Sequence, residues 1–158
     1  MAQRPILIAY DDSVHARHAI EFASAELGGG AAEVVHAWEP LSSASSRLAV
    51  YAFVAGAGGE ELEYERKQAE SKAEEGAELA RQAGFEASAV AIQSEGPVSA
   101  ALIDYVNQRR PRLVVMGTRA LTGLRSLVAG SVSHSVSAHA HVPVLIVPPQ
   151  DVSADGSV

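Results

Sequence analysis

Two textures alternate along the chain. Residues 5–10 (PILIAY), 113–116 (LVVM) and 142–147 (VPVLIV) are short apolar runs without polar alternation, the pattern of parallel strands buried on both faces. Residues 33–38 (EVVHAW) read as a second strand, and residues 85–92, which partly alternate, as a third strand at a sheet edge. Between these runs the apolar positions recur every three or four residues. Ala16, Ala19, Ile20, Ala23 and Leu27 predict a helix that Asp12 or Ser13 caps and Gly28-Gly29-Gly30 ends. Leu62, Ala69, Ala73, Ala77, Ala80 and Ala83 predict a long polar helix over residues 60–83 with a narrow seam of small side chains. At about 1.5 Å per residue it runs roughly 35 Å, more than its sheet needs, so its first turns should project beyond the core. Gly96-Pro97 starts a further helix, with Pro97 suited to the first helical position and Val98, Leu102, Tyr105 and Val106 on the buried stripe. Arg109-Arg110-Pro111-Arg112 stops it, its cations solvating the helix end and meeting the negative dipole. Gly130-Ser131 opens the last helical pattern, which ends at His139 to His141.

Strands alternating with helices over this length predict an α/β fold: a three-layer, open, parallel five-stranded sheet whose right-handed crossovers lay helices on both faces. The pattern occupies residues 1–148. After Pro148-Pro149 no apolar period remains, and 149–158 should be a disordered tail. Residues 40–59, rich in serine, alanine and glycine with 48–54 as their only apolar section, read as a connection or lid that could cover a ligand or meet a partner.

Candidate chemistry concentrates in residues 113–147. Strand, glycine-punctuated loop, helix and second strand form one βαβ unit, and its loop falls where parallel sheets place ligands, outside the carboxyl end of a strand. Gly117 and Gly130 allow backbone to approach a bulky group, and Ser131 and Ser133 put hydroxyls and unpaired N–H groups at a helix start, where the dipole is positive. Arg119 and Arg125 add forked donors suited to phosphate oxygens. The same residues equally describe a plain connection with glycines for turning and serines for capping, and residue type alone leaves both readings open. His36, a lone histidine within an apolar strand, reads as a satisfied core group rather than a base. His15 with His18, and His139 with His141, lack the further ligands that a zinc site needs.

Spacing bears on the choice. Gly117, Ala120 and Gly130-Ser131, with the start YDDSVHARHAI, the strand VVHAW, Gly96-Pro97 before a helix and the ending VPVLIVP, resemble the universal stress protein family over roughly residues 4–148. Nucleotide-binding members carry glycine, two residues, glycine, nine residues, then glycine and serine or threonine; here Ala120 stands at the second glycine. The resemblance implies strand order 3-2-1-4-5, which brings Asp11 and Gly117 to one crevice. It also implies an adenine nucleotide, ATP or its ADP and AMP relatives; any Mg²⁺ arriving with it is held by phosphates and one or two protein oxygens, which Asp11, Asp12 or Ser131 could supply. Asp11 would lie beside the adenine and Ala37 in its pocket, with Met116, Gly117, Arg119, Gly130, Ser131, Val132 and Ser133 completing the site. Asp12 occupies a position that is often glycine in the family. The resemblance further implies a regulatory homodimer. The edge between Val142 and Val147, last in that strand order, is the expected seam, because an exposed apolar edge is an aggregation hazard that twofold pairing removes. Branches lacking the phosphate glycines act as nucleotide-free dimeric modules, and Ala120 keeps that alternative in view.

Composition narrows these readings. A net charge of −7 and scattered Lys and Arg argue against a general nucleic-acid surface or an anionic-membrane binder. With no cysteine there is no disulfide framework, thiolate metal site or cysteine nucleophile. No signal-peptide core and no run near the ~20 apolar residues of a membrane span is visible, so the cytoplasm is the expected compartment. Neither a Walker loop nor GxGxxG is present, and YDDSVHA replaces the glycine-rich serine loop of the adenylating relatives. Binding is therefore expected rather than turnover, with slow ATP hydrolysis as an alternative.

Overall fold

The computed structural model describes residues 4–41, 59–118 and 132–150. The elements are β1 (Ile6–Ala9), α1 (Val14–Leu27), β2 (Gly30–Trp38), α2 (Gly59–Gln82), β3 (Phe85–Gln93), α3 (Val98–Arg109), β4 (Val114–Gly117), α4 (Val132–His139) and β5 (Val144–Val147). Most of the 40–59 connection, the Arg119–Ser131 part of the loop after β4 and the tail from residue 151 lie outside the described residues.

The strands form a parallel sheet in the order β3-β2-β1-β4-β5. Its centre explains the continuous apolar runs. In β1, Ile6 and Ile8 face α1 and α2 together with Val34, Val115 and Val147. Leu7 faces the other way, into a second core of Val35, Val114, Met116 and residues of α3 and α4. Ile6, Leu7 and Ile8 are all fully buried, so both faces of this strand have the same solvent-free environment and alternation disappears.

The observed boundaries differ from the sequence pattern by a few residues, for identifiable reasons. β2 begins at Gly30 rather than 33 because Gly30, Ala31 and Ala32 already pair with Phe85, Glu86 and Ala87 of the edge strand. β5 begins at Val144, one residue after Pro143, which has no N–H to donate and uses its carbonyl to accept from the Val114 amide at 2.9 Å. Pro97 sits one position before its expected place, as the N-cap of α3.

The first ten residues of α2 are exposed or half-buried, and its buried seam starts only at Ala69, so the expected overhang is present. The seam is small because the helix comes close: a Cβ at Gly76 would lie 2.6 Å from Tyr10 Cδ1 and 2.9 Å from Val34 Cγ1. Arg109 departs from its expected role. Its guanidinium reaches past the helix end to the buried Glu33 of β2 at 2.6 Å, and the Tyr105 hydroxyl donates to the same carboxylate at 2.9 Å. This hydrogen-bonded pair pins α3 to the sheet and supplies the charged partner that a carboxylate inside a strand requires.

Candidate functional site

The strand order reverses direction beside β1 and β4, and a crevice opens there outside their carboxyl ends. Its volume is about 370 Å³, within the range of small-molecule sites. The lining combines two chemistries. Ala9, Val35, Ala37, Val98, Leu102 and Met116 form an apolar slot, and Asp11, Ser13, His15, Thr118 and Ser133 bring polar groups around it. Such a slot with a polar border accommodates a flat ring carrying a hydrogen-bonding or anionic extension.

Six residues singled out from the sequence, Asp11, Ala37, Met116, Gly117, Val132 and Ser133, line this one crevice. Arg119, Gly130 and Ser131, and with them Ala120 and Arg125, lie outside the described residues. His36 is not part of the lining: it is buried, and its Nδ1 donates to the Tyr10 carbonyl at 2.8 Å, a core histidine as expected. Val98 and Leu102 were identified only as core positions, yet the first turns of α3 form one wall of the slot. Nothing in the chain's periodicity separates a helix residue facing a packed sheet from one facing a crevice. His15 stands out in the sequence only as half of a histidine pair without further metal ligands, whereas Thr118 falls between Gly117 and Arg119, both expected at the site.

The loop from β1 to α1 has a definite geometry. Ser13 is the N-cap of α1, accepting from the Ala16 amide at 3.1 Å. Its own N–H and hydroxyl donate to Asp11 Oδ1 at 3.1 and 2.5 Å. Asp12, between them, has φ of +63°, in the left-handed region that favours glycine and that aspartate tolerates better than most residues. A glycine would hold this φ without strain. Asp12's carboxylate turns out of the crevice to Arg17 at 2.5 Å, and that guanidinium holds it below the usual carboxylate range. Arg17 also meets Glu75 of α2 at 2.5 Å, and Glu75 accepts the Tyr10 hydroxyl at 2.9 Å. Burial, and then the bond to Glu75, push the Tyr10 phenol upward.

Gly117 serves a purpose that residue type did not show. A Cβ there would stand 2.4 Å from the His15 carbonyl oxygen and 3.1 Å from the Ala16 amide nitrogen. The bulky group that approaches this glycine is thus the chain's own α1 backbone, whose first turn rests on the end of β4. Among the described residues no group of three or more His, Cys, Asp or Glu could hold a metal ion, and no helix is long and apolar enough to cross a membrane.

The sequence model of the universal stress protein family matches residues 3–148. A universal stress protein of Thermus aquaticus, described by its place in the 3′ region of QAH/OAS sulfhydrylase, is 35% identical over 147 residues, covering 91% of this chain and 98% of its own. Among solved structures, the universal stress protein of Archaeoglobus fulgidus in complex with dAMP superposes with a TM-score of 0.62 at 21% identity, covering 92% of this chain and 98% of that one. A family member from Arabidopsis thaliana with AMP bound gives 0.58 at 17%, covering 94% and 97%. At these identities the structural likeness concerns the fold.

Proposed function

The chain belongs to the universal stress protein family, and from that premise we propose that it binds an adenine nucleotide in the crevice between β1 and β4 and acts as a regulatory homodimer in the stress response, in the cytoplasm. The base lies in the apolar slot between Asp11 and Ala37. The phosphates meet Gly117 to Arg119 and the backbone N–H groups from Gly130 to Ser133, where a helix start favours anions. ATP, with or without Mg²⁺, and its ADP and AMP forms share this base and sugar.

One observation carries the reading. Residues from four separate stretches of sequence, Asp11, Ala37, Met116-Gly117 and Val132-Ser133, converge on one crevice of ligand size at the reversal of strand order. The dAMP and AMP complexes of relatives with this fold favour the adenine nucleotide as occupant. For the dimer, the support is the outer position of β5, last in the sheet order among the described residues, with Ile146 of that strand 37% exposed.

Native mass spectrometry of the purified protein reads bound nucleotide and subunit number together, and a dimer carrying nucleotide is the expected result. Titration calorimetry follows with AMP, ADP and ATP, Mg²⁺ present, on the wild type and on Gly130→Val, whose side chain should abolish binding by filling the phosphate space. A wild type that binds none of the three nucleotides overturns the reading in favour of a nucleotide-free module.

A further inference from the structure

The crevice is tied to α2 by side chains that the nucleotide reading does not use. Arg17 stands between two carboxylates, Asp12 Oδ1 and Glu75 Oε1, each at 2.5 Å, and Glu75 Oε1 also accepts the Tyr10 hydroxyl. Tyr10 and Asp12 flank Asp11 in sequence, so both neighbours of this lining residue are anchored to one helix. Tyr10 is further fixed along its backbone. Its amide donates to the Val35 carbonyl at 2.9 Å, its own carbonyl accepts from His36, and its ring lies against Gly76. Asp12 holds a positive φ, and its carboxylate is held first by Arg17, with the Tyr10 hydroxyl and the Lys72 charge acting on it as well.

We infer that Tyr10, Asp12, Arg17 and Glu75 form a strap that positions Asp11 and the Ser13 cap at the crevice, making Arg17 and Glu75 positioning residues for the ligand although neither lines the crevice. Each ion pair is solvent-accessible, with side chains 39–44% exposed, and an isolated pair of this kind contributes little. The strap differs in being a network with one cation shared by two acids and a phenol fastened to the second. Its work is to restrict a three-residue turn rather than to stabilise the whole fold.

The ligand arm of the test rests on the functional reading above; the exchange arm does not. Glu75→Ala separates positioning from charge. Removing a negative group near an anionic ligand should tighten binding if only electrostatics acts, whereas loss of the strap weakens it. The expected result for AMP in titration calorimetry is a loss of about fivefold for Glu75→Ala and for Arg17→Met, or roughly 1 kcal/mol. Arg17→Lys, which keeps the charge but not the fork, should recover part of it. Hydrogen exchange of the Ser13 and Ala16 amides should accelerate in Glu75→Ala and Arg17→Met, with α3 amides unchanged. Affinity that is unchanged or increased in Glu75→Ala overturns the positioning role. If the wild type binds no nucleotide, the functional reading fails and exchange alone decides: Ser13 and Ala16 protection equal to wild type in both variants refutes the strap, and faster exchange upholds it.

Discussion

Gly117→Ala puts the smallest possible side chain into the tightest contact at the site. The new methyl would stand 2.4 Å from the His15 carbonyl oxygen and 2.6 Å from its carbon, against an ordinary contact of 3.4–4 Å. The start of α1 would have to retreat by 3.4 − 2.4, or about 1 Å. Neither partner can yield by changing rotamer, because the obstructing atoms are backbone. The Ser13 cap and the paired end of β4, where Gly117 stands opposite Val147, resist the shift from either side. Overpacking of this kind costs about 1–3 kcal/mol. For a chain of this size, 2 kcal/mol lowers Tm by roughly 4–8 °C, or the urea midpoint by about 1 M. Gly96→Ala is the control, since open space surrounds that position and its φ is not positive; its effect should stay within about 1 kcal/mol, on the stabilising side. Calorimetric melting of the three proteins gives the comparison. A Gly117→Ala protein melting within 1 °C of wild type, a shift of only about 0.3–0.5 kcal/mol, would refute the claim that this glycine exists to admit the α1 backbone.

Gly76→Ala should destabilise by about 1 kcal/mol in urea titration, because the clash with the Tyr10 ring exceeds the helix propensity gained, and a stabilised variant would show that α2 can lift off the sheet freely. The Tyr105 hydroxyl, desolvated and then bound to Glu33, is pushed up to about 12. A phenol raised above its unfolded value contributes stability that is complete below about pH 10 and is lost as pH climbs through 12. Tyr105→Phe should therefore flatten the fall in stability between these limits, as read by urea midpoints at several alkaline pH values. Ile146→Lys on the outer strand should convert the proposed dimer to monomer in light scattering at micromolar concentration, and an unchanged dimer mass would place the interface elsewhere.

The runs 5–10 and 113–116 identified the sheet centre from sequence because a strand covered on both faces has no polar position to hide, and composition alone records that. The α2 overhang was also readable, since helix length follows from periodicity and rise while the buried seam ends where the sheet does. The lining of the crevice was legible in part, as Asp11, Ala37, Met116, Gly117, Val132 and Ser133, through spacing and resemblance. Tertiary structure decided what those residues do to one another. Arg109 reads as a solvated helix end until the fold sets it beside Glu33, a partner 76 residues away. Gly117 reads as space for a ligand until α1 is seen resting on it, and Asp12 reads as a departure from a family glycine until its φ and its bond to Arg17 are known. The physical reason is common to all three. Local pattern reports how much solvent a residue meets, whereas ion pairs, close backbone approaches and straps depend on which distant element arrives, and only the packed chain specifies that.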